Sequence, residues 1–302
     1  MNFRYPVLVF IFGVATLSGC ASLSKSQMIS VQKFSNSCDS FVKYPSALFV
    51  EMAEIRAERG CFYTASLSDP LLRIKELNSM SKAYKTDLAL AKKMNISLEI
   101  LKTYQRALKS LSHADRYNNT GREFRSLGRN LDSLINRYNL MDFSDPLPMG
   151  IGKAVGKIAG YGAELYVRNV QTRAVREFVI EGDSLVGAVT NSIVGILSSQ
   201  SVKGLIENET KGLEANYLSL LKSGKGDFSG DREYLLLLGR TDNLSKIRSG
   251  TVSAAKALAK AHNKIASEVV KRKKLKQLYP EIEELNDELS ALRRSAEKLR
   301  IY

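Results

Sequence analysis

The most constraining feature of the sequence is a long apolar stripe that begins after Asp69-Pro70. An aspartate followed by proline favours a helix start, because the carboxylate caps backbone N–H groups and proline suits the first helical position. Beyond this pair, large side chains recur at steps of three or four and therefore share one helix face. The stripe predicts one helix of about 42 residues, a rod of roughly 60 Å at 1.5 Å per residue. It consists of Leu77, Met80, Tyr84, Leu88, Ala91, Met94, Leu98, Leu101, Tyr104, Leu108 and Leu111.

The same spacing recurs along the rest of the chain. Tryptophan is absent, only six prolines occur, and no strand-like alternation runs for more than a few residues. We therefore predict an all-α fold, an elongated antiparallel bundle of long helices with coiled-coil-like packing over 46–302. Besides the long helix, the pattern predicts helices over 46–59 (closed by Gly60), 120–138, 149–181, 184–222 (after a pause at Gly182-Asp183), from Asp231 up to Pro280, and from Glu281 onward.

The first twenty residues follow a different pattern. A short positive start with Arg4 precedes an apolar run over 6–17, which is too short for a membrane span of about 20 residues and suits a secretory signal. Leu17-Ser18-Gly19-Cys20 follows directly. This order resembles the lipobox of bacterial lipoproteins, in which the chain is cut before the cysteine and the thiol receives a lipid. The alternative is an ordinary signal peptide with an accidental cysteine.

The resemblance covers residues 1–20 and implies a signal peptide over 1–19, with lipid such as palmitate anchoring Cys20 to a membrane. Several acyl chains, at roughly 0.8 kcal/mol per buried CH₂, make such anchoring stable. The Ser-rich segment over 20–45 predicts a flexible tether. Ala21 stands where an aspartate tends to retain proteobacterial lipoproteins at the inner membrane. We therefore expect a cell-envelope protein, on the outer membrane and facing the periplasm.

The two remaining cysteines, Cys38 and Cys61, would then lie in an oxidising compartment. We predict a disulfide between them, which would stabilise the fold by about 3 kcal/mol for a loop of this size. The alternative is two unpaired buried thiols.

Three glycines, Gly152, Gly156 and Gly160, lie four residues apart and so share one helix face. Glycine costs about 1 kcal/mol within a helix, so aligned glycines indicate a packing role. The first interpretation is close packing against the small face of the 184–222 helix. The alternative is that the segment over 149–165, in which lysines interrupt apolar residues, contacts or enters a lipid layer.

Positive charge concentrates late in the chain, which has a net charge of +14. Ten Lys or Arg fall between 246 and 276, with one acidic residue among them. A solvated helix face, partly neutralised by the acidic last helix, is one interpretation; docking onto an anionic envelope surface is the other. Nucleic acid is not expected as a partner of an exported protein. The strip consists of Lys256, Lys260, Lys264, Lys271, Arg272, Lys273, Lys274 and Lys276.

A search for catalytic patterns finds none. His113 falls at a helix end and His262 on an apolar stripe, where a structural role is expected. Glu207 and Glu209 point to different sides of a helix, and no metal, phosphate or dinucleotide motif occurs. We expect no enzyme, cofactor or metal. We expect instead a membrane-anchored interaction or scaffolding protein, with lipid action through 149–165 as the alternative. An envelope hydrolase would need a polar cleft between helices.

Overall fold

The computed structural model describes residues 25–112, 120–141, 146–160, 168–271 and 279–297. These residues form helices and a few turns, with no strand among them, so the predicted all-α fold is confirmed. The helices are α1 Lys25–Phe41, α2 Pro45–Ser66, α3 Pro70–Ser112, α4 Thr120–Asn139, α5 Ile151–Gly160, α6 Arg168–Ser198, α7 Gln200–Lys222, α8 Phe228–Lys271 and α9 Tyr279–Glu297.

The predicted long helix is present as α3. Asp69 begins it as expected, because its Oδ1 accepts a hydrogen bond from the Leu71 amide at 2.9 Å. The helix continues for 43 residues without a break, which corresponds to about 64 Å. Its C-terminal half buries the apolar stripe, including Leu98, Leu101 and Tyr104.

Two shorter helices, α1 and α2, lie end to end along α3. Gln32 Nε2 of α1 donates to the Ser112 carbonyl at the end of α3, so α1 runs antiparallel to the C-terminal half of α3. Gly60 of α2 faces the Met80 side chain, which places α2 beside the N-terminal half. The continuous helix therefore aligns two separate ones.

Helices α6 and α7 form a second end-to-end pair, with Ser199 capping the start of α7. Arg176 of α6 donates to the Val269 carbonyl near the end of α8. At the other end of α8, Tyr217 of α7 donates to the Asp231 carboxylate. The pair thus runs antiparallel to α8, which is 44 residues long.

The remaining helices cover one half of the bundle. Lys260 pairs with Glu284, and Gly250 lies against Leu292, so α9 runs antiparallel to the second half of α8. Helices α4 and α5 pack on each other and on α3 and α6, respectively. The bundle has two ends, named here by their α3 residues. The Ser112 end holds Lys25, Ser112, Arg168 and Lys271; the Pro70 end holds Ser66, Pro70, Lys222 and Phe228.

The predicted tether is wrong for residues 25–41, which form α1. Val31, Phe34, Cys38 and Phe41 recur at steps of three and four and are buried in the core. Serines between them are compatible with burial because they are hydrogen-bonded, as Ser35 Oγ is to the Gln105 carbonyl. Residues 20–24 lie outside the described residues.

Two glycines predicted to interrupt helices lie inside them instead. Helix α2 continues through Gly60, where a Cβ atom would lie 2.6 Å from Met80 Cε. Helix α6 continues through Gly182, where a Cβ atom would overlap the Tyr104 ring. Each glycine therefore makes room for a large neighbouring side chain. The break expected at 182–183 occurs at Ser199.

Candidate functional site

A buried polar network joins α3, α6 and α8 around His262. The ring Nδ1 lies 2.9 Å from Asp183 Oδ1, and Nε2 lies 2.7 Å from the Tyr104 hydroxyl. Because a carboxylate only accepts hydrogen bonds, Nδ1 donates, and in the neutral ring Nε2 accepts from tyrosine. The hydrogen bond from His262 holds the pKa of Asp183 below its usual value, and burial raises the pKa of Tyr104 well above its usual value.

This network resembles a catalytic triad in its connectivity but not in its access to solvent. Tyr104 is fully buried and His262 nearly so, so no substrate reaches the hydroxyl. The arrangement holds three helices in register. His113 lies outside the described residues. Within the described ranges, no group of three or more His, Cys, Asp or Glu side chains is placed to hold a metal ion.

The predicted Cys38–Cys61 disulfide is not formed in the structure, where both thiols are free. Cys38 faces the core from α1, and Cys61 is exposed on α2. The two cysteines belong to helices that follow each other end to end, and this separates them instead of placing them side by side. Burial raises the pKa of the Cys38 thiol to about 12. The cysteine that attaches lipid in the lipobox prediction, Cys20, lies outside the described residues.

The glycine face has a different partner from the one predicted. Gly152 approaches Gly128 of α4, and its amide donates to Asp132 Oδ1 at 3.0 Å. A Cβ atom on Gly128 would lie 2.6 Å from the Gly152 carbonyl oxygen. Gly156 faces open space, and Gly160 ends α5. Close packing through Gly152 therefore joins α5 to α4, and not to the 184–222 segment.

The basic strip is partly neutralised by the acidic last helix. Lys260 Nζ lies 2.5 Å from Glu284 Oε2, and this hydrogen bond raises the pKa of the lysine. Lys264 lies 3.9 Å from carboxylate oxygens of both Glu268 and Glu281. Lys256 is exposed. Lys271 ends α8, and Arg272, Lys273, Lys274 and Lys276 lie outside the described residues.

Two ion-pair clusters on α2 were missed by sequence reasoning. Glu209 of α7 is buried between Arg56 and Arg59, at 2.6 and 2.7 Å. Arg240 of α8 contacts three glutamates of α2 and borders a cleft of ≈ 530 Å³. The only sequence signal was the spacing of these glutamates, which places them on one helix face. They are Glu51, Glu54 and Glu58.

The two halves of the bundle differ strongly in net charge. The range 45–85 contains six Lys or Arg and five Asp or Glu, and the range 200–240 contains six of each. These ranges form the half that includes the Pro70 end, and they contribute one unit of the net charge of +14. The positive charge therefore belongs almost entirely to the rest of the chain.

The Pro70 end exposes large apolar side chains. Leu71 and Ile74 of α3 are 78% and 57% exposed, and Phe228 and Leu235 of α8 are 82% and 65% exposed. Leu72 and Leu77 add to this surface. A single exposed leucine is ordinary, but a group of this size at one end of a bundle is typical of an interaction surface.

One described segment, 170–198 of α6, is long and apolar enough to cross a membrane by length and composition. Its Phe178, Val179 and Val189 are fully buried in the bundle. A core helix of a water-exposed bundle meets the same criteria, so this segment alone does not indicate a span.

Comparison with known proteins gives no match: no family model, curated protein or solved structure is similar to the chain.

Proposed function

We propose that this chain is a lipid-anchored helical rod of the bacterial cell envelope, which holds its basic half near the membrane and presents its Pro70 end to a partner. Its role is interaction or scaffolding without catalysis. The observation that carries the proposal is the polarity of the rod. Helix α1 begins at the Ser112 end, and the described residues of that half carry most of the net positive charge. Of the thirteen exposed large apolar side chains among the described residues, nine lie in the half that includes the Pro70 end.

The position of α1 supports anchoring at the Ser112 end. Lys25, the first residue of α1, lies at that end and is five positions after Cys20. An extended chain spans at most about 3.6 Å per residue, so a lipid on Cys20 lies within roughly 18 Å of Lys25. The Pro70 end is then about 60 Å away along α3.

The charge distribution supports the same orientation. Anionic head groups attract Lys and Arg side chains near the surface, at about 1 kcal/mol for each, and the attraction falls off within a Debye length. The described residues of the half that includes the Ser112 end carry a net charge of +9, against +1 for the half that includes the Pro70 end. The half that includes the Pro70 end is nearly neutral, so it gains little electrostatic attraction from the membrane surface. It is therefore free to contact a partner.

The anchor is tested by replacing Cys20 with serine in cells supplied with labelled palmitate. We expect the parent to incorporate label and partition with membranes, and the variant to do neither. Cys61→Ser is the matched control, because it removes an exposed thiol and should retain both properties. Palmitate labelling of the Cys20→Ser variant, or none in the parent, would refute the anchor.

The orientation is tested with lipid vesicles and the purified lipidated chain. Protection of exposed lysines from an acylating reagent should be strongest at Lys256 and weakest at Lys75 and Lys222 near the Pro70 end. The difference should shrink as salt rises, because ionic strength screens the attraction. Equal protection at both ends would contradict the proposed orientation.

Lipid action through 149–165 is the alternative function. Ile151, Ala154 and Val155 are buried beside α4, so this action requires α5 to leave its partner. Dye release from liposomes would favour it over the scaffold if an engineered crosslink that holds α5 against α4, placed away from the Gly152–Gly128 contact, abolishes the release.

A further inference from the structure

A cleft of ≈ 530 Å³ lies where α1 meets α2, beside α8 and the end of α9. This volume is within the range of about 300–1,000 Å³ that is usual for pockets that bind small molecules. Helix α1 ends at Phe41 and α2 begins at Pro45, so the turn between them forms one wall of the cleft. An occupant would therefore contact the α1–α2 turn and three helices at once.

Part of the lining is apolar and includes an aromatic ring. It consists of Tyr44, Ala47, Val50, Ile247 and Ala296. Tyr44 and Val50 are half-buried, and Ile247 is buried. Such side chains shield an aliphatic chain from water, and the face of an aromatic ring attracts cations. This part of the cleft therefore suits an apolar stem that carries a positive head.

The polar part of the lining belongs to a network of ion pairs around Arg240. Its Nε donates to Glu51 Oε1 at 2.6 Å, and its Nη2 donates to Glu54 Oε2 at 3.3 Å. Its Nη1 donates to Glu58. The side chains of Arg240 and Glu51 are 14% and 11% exposed, so packing holds both in place. Glu54 lines the cleft and is 42% exposed, so its carboxylate can accept a further hydrogen bond from an occupant.

The network is short of positive charge. One guanidinium meets three carboxylates, which leaves a net charge of 1 − 3 = −2. Lys43 and Glu297 also line the cleft and cancel each other in charge. Burial, ahead of the like charge of Glu233, raises the pKa of Glu58 although Arg240 is bonded to it. The cleft is therefore negative in a chain of net charge +14, and it favours a cation.

The same geometry argues against other occupants. An anion would need free donors, but the guanidinium of Arg240 is already bonded to carboxylates on three sides. A metal ion would have to displace that guanidinium from the glutamates. Neither occupant uses the apolar lining. A lysine or arginine side chain uses both parts, because its aliphatic stem packs on apolar surface while its charged head stays among polar groups.

We propose that this cleft binds a lysine or arginine side chain of a partner protein. The stem lies on Ala47 and Val50, and the charged head pairs with Glu54 beside the Tyr44 ring. This contact goes beyond the proposed function, because it adds a docking surface that is separate from the Pro70 end. It depends on neither the anchor nor the exposed apolar side chains of that end.

A short peptide tests the cleft directly. The probe is acetyl-Leu-Arg-Leu-amide, and the matched control peptide has glutamine in place of arginine. Binding to the purified full-length chain is followed by saturation-transfer NMR of the peptide. The arginine peptide should bind at least roughly tenfold more tightly, because its head makes charge-assisted hydrogen bonds that glutamine cannot make. This advantage should shrink as salt rises, because ionic strength screens the attraction.

Substitutions then locate the contact. Glu54→Gln should weaken binding of the arginine peptide at least about threefold, the size expected for a partly exposed ion pair, and leave the glutamine peptide unchanged. Tyr44→Leu should weaken binding of the arginine peptide about two- to fivefold through loss of the ring. Glu207→Gln is the matched control, because it removes the same charge from an exposed position of α7 and should leave binding unchanged. Circular dichroism should be the same for all variants.

Four results would overturn the proposal: no preference for the arginine peptide at millimolar concentration, equal losses from Glu54→Gln and Glu207→Gln, tighter binding of a peptide with glutamate at its centre, or displacement of the arginine peptide by an equal concentration of magnesium. The third would assign the cleft to an anion and the fourth to a metal ion. The substitutions leave Cys20 and the Pro70 end unchanged, so failure of the cleft is distinct from failure of the proposed function.

Discussion

The buried pairing of Glu209 with Arg56 and Arg59 leads to a sharp prediction about stability. The glutamate side chain is 1% exposed, and the two arginine side chains are 29% and 16% exposed. Removing one partner of a buried ion pair costs about 3–5 kcal/mol, because the other charge is left without compensation. The arginines here keep some contact with water, so the lower part of that range applies. Glu209→Ala should reduce the free energy of unfolding by about 3 kcal/mol.

The chain offers a matched control two residues away. Glu207 lies on the same helix and is exposed, so Glu207→Ala should change stability by less than about 0.5 kcal/mol. Urea unfolding followed by circular dichroism measures both, with the midpoint shift read at constant slope. Glu209→Gln keeps the size of the side chain and one acceptor oxygen. It should therefore lower the free energy of unfolding by an amount between those of the two alanine variants. Equal losses for the two alanine variants would refute the reasoning.

Three further predictions follow from single contacts. Gly152→Ala should lose about 1–3 kcal/mol of thermal or urea stability through overlap with α4, whereas Gly156→Ala, facing open space, should be neutral or gain up to about 1 kcal/mol. Asp183→Asn should make the free energy of unfolding depend less on pH in the acid range. The native carboxyl has a pKa below 3.8 and the unfolded one does not, so its stabilisation is present above that value and lost as pH falls through the native pKa. In a thiol titration, Cys61 should react at once and Cys38 only after unfolding; an oxidised pair would contradict the structure.

Sequence patterning was sufficient for the helical class and for the 43-residue helix α3. The start of α3 depended on local chemistry, since Asp69 caps the next turn whatever the rest of the chain does. The small glycine-rich face of α5 was recognised as a packing surface, but its partner was misassigned, because the approach of Gly152 to Gly128 is fixed by tertiary contacts.

The errors have a common physical cause. Glycine signals a helix end only when the backbone needs its conformational freedom, and Gly60 and Gly182 are used instead for the space that they leave to Met80 and Tyr104. The helical pattern of α1 was not recognised because of its serines. Their hydrogen bonds to other helices form only after packing. Ion-pair partners such as Arg240 and its glutamates lie too far apart in sequence for a pattern to link them.

The end-to-end stacking of the shorter helices has a mechanical consequence. The junction of α1 and α2 at Tyr44 and that of α6 and α7 at Leu197 both border the same turn of α8, at Ile247 and Arg248 respectively. At this level α3 and α8 continue and the end of α9 lies alongside, while the two flanking pairs are interrupted, so fewer continuous helices resist bending there. We therefore expect the bundle to bend more readily at this level than on either side of it.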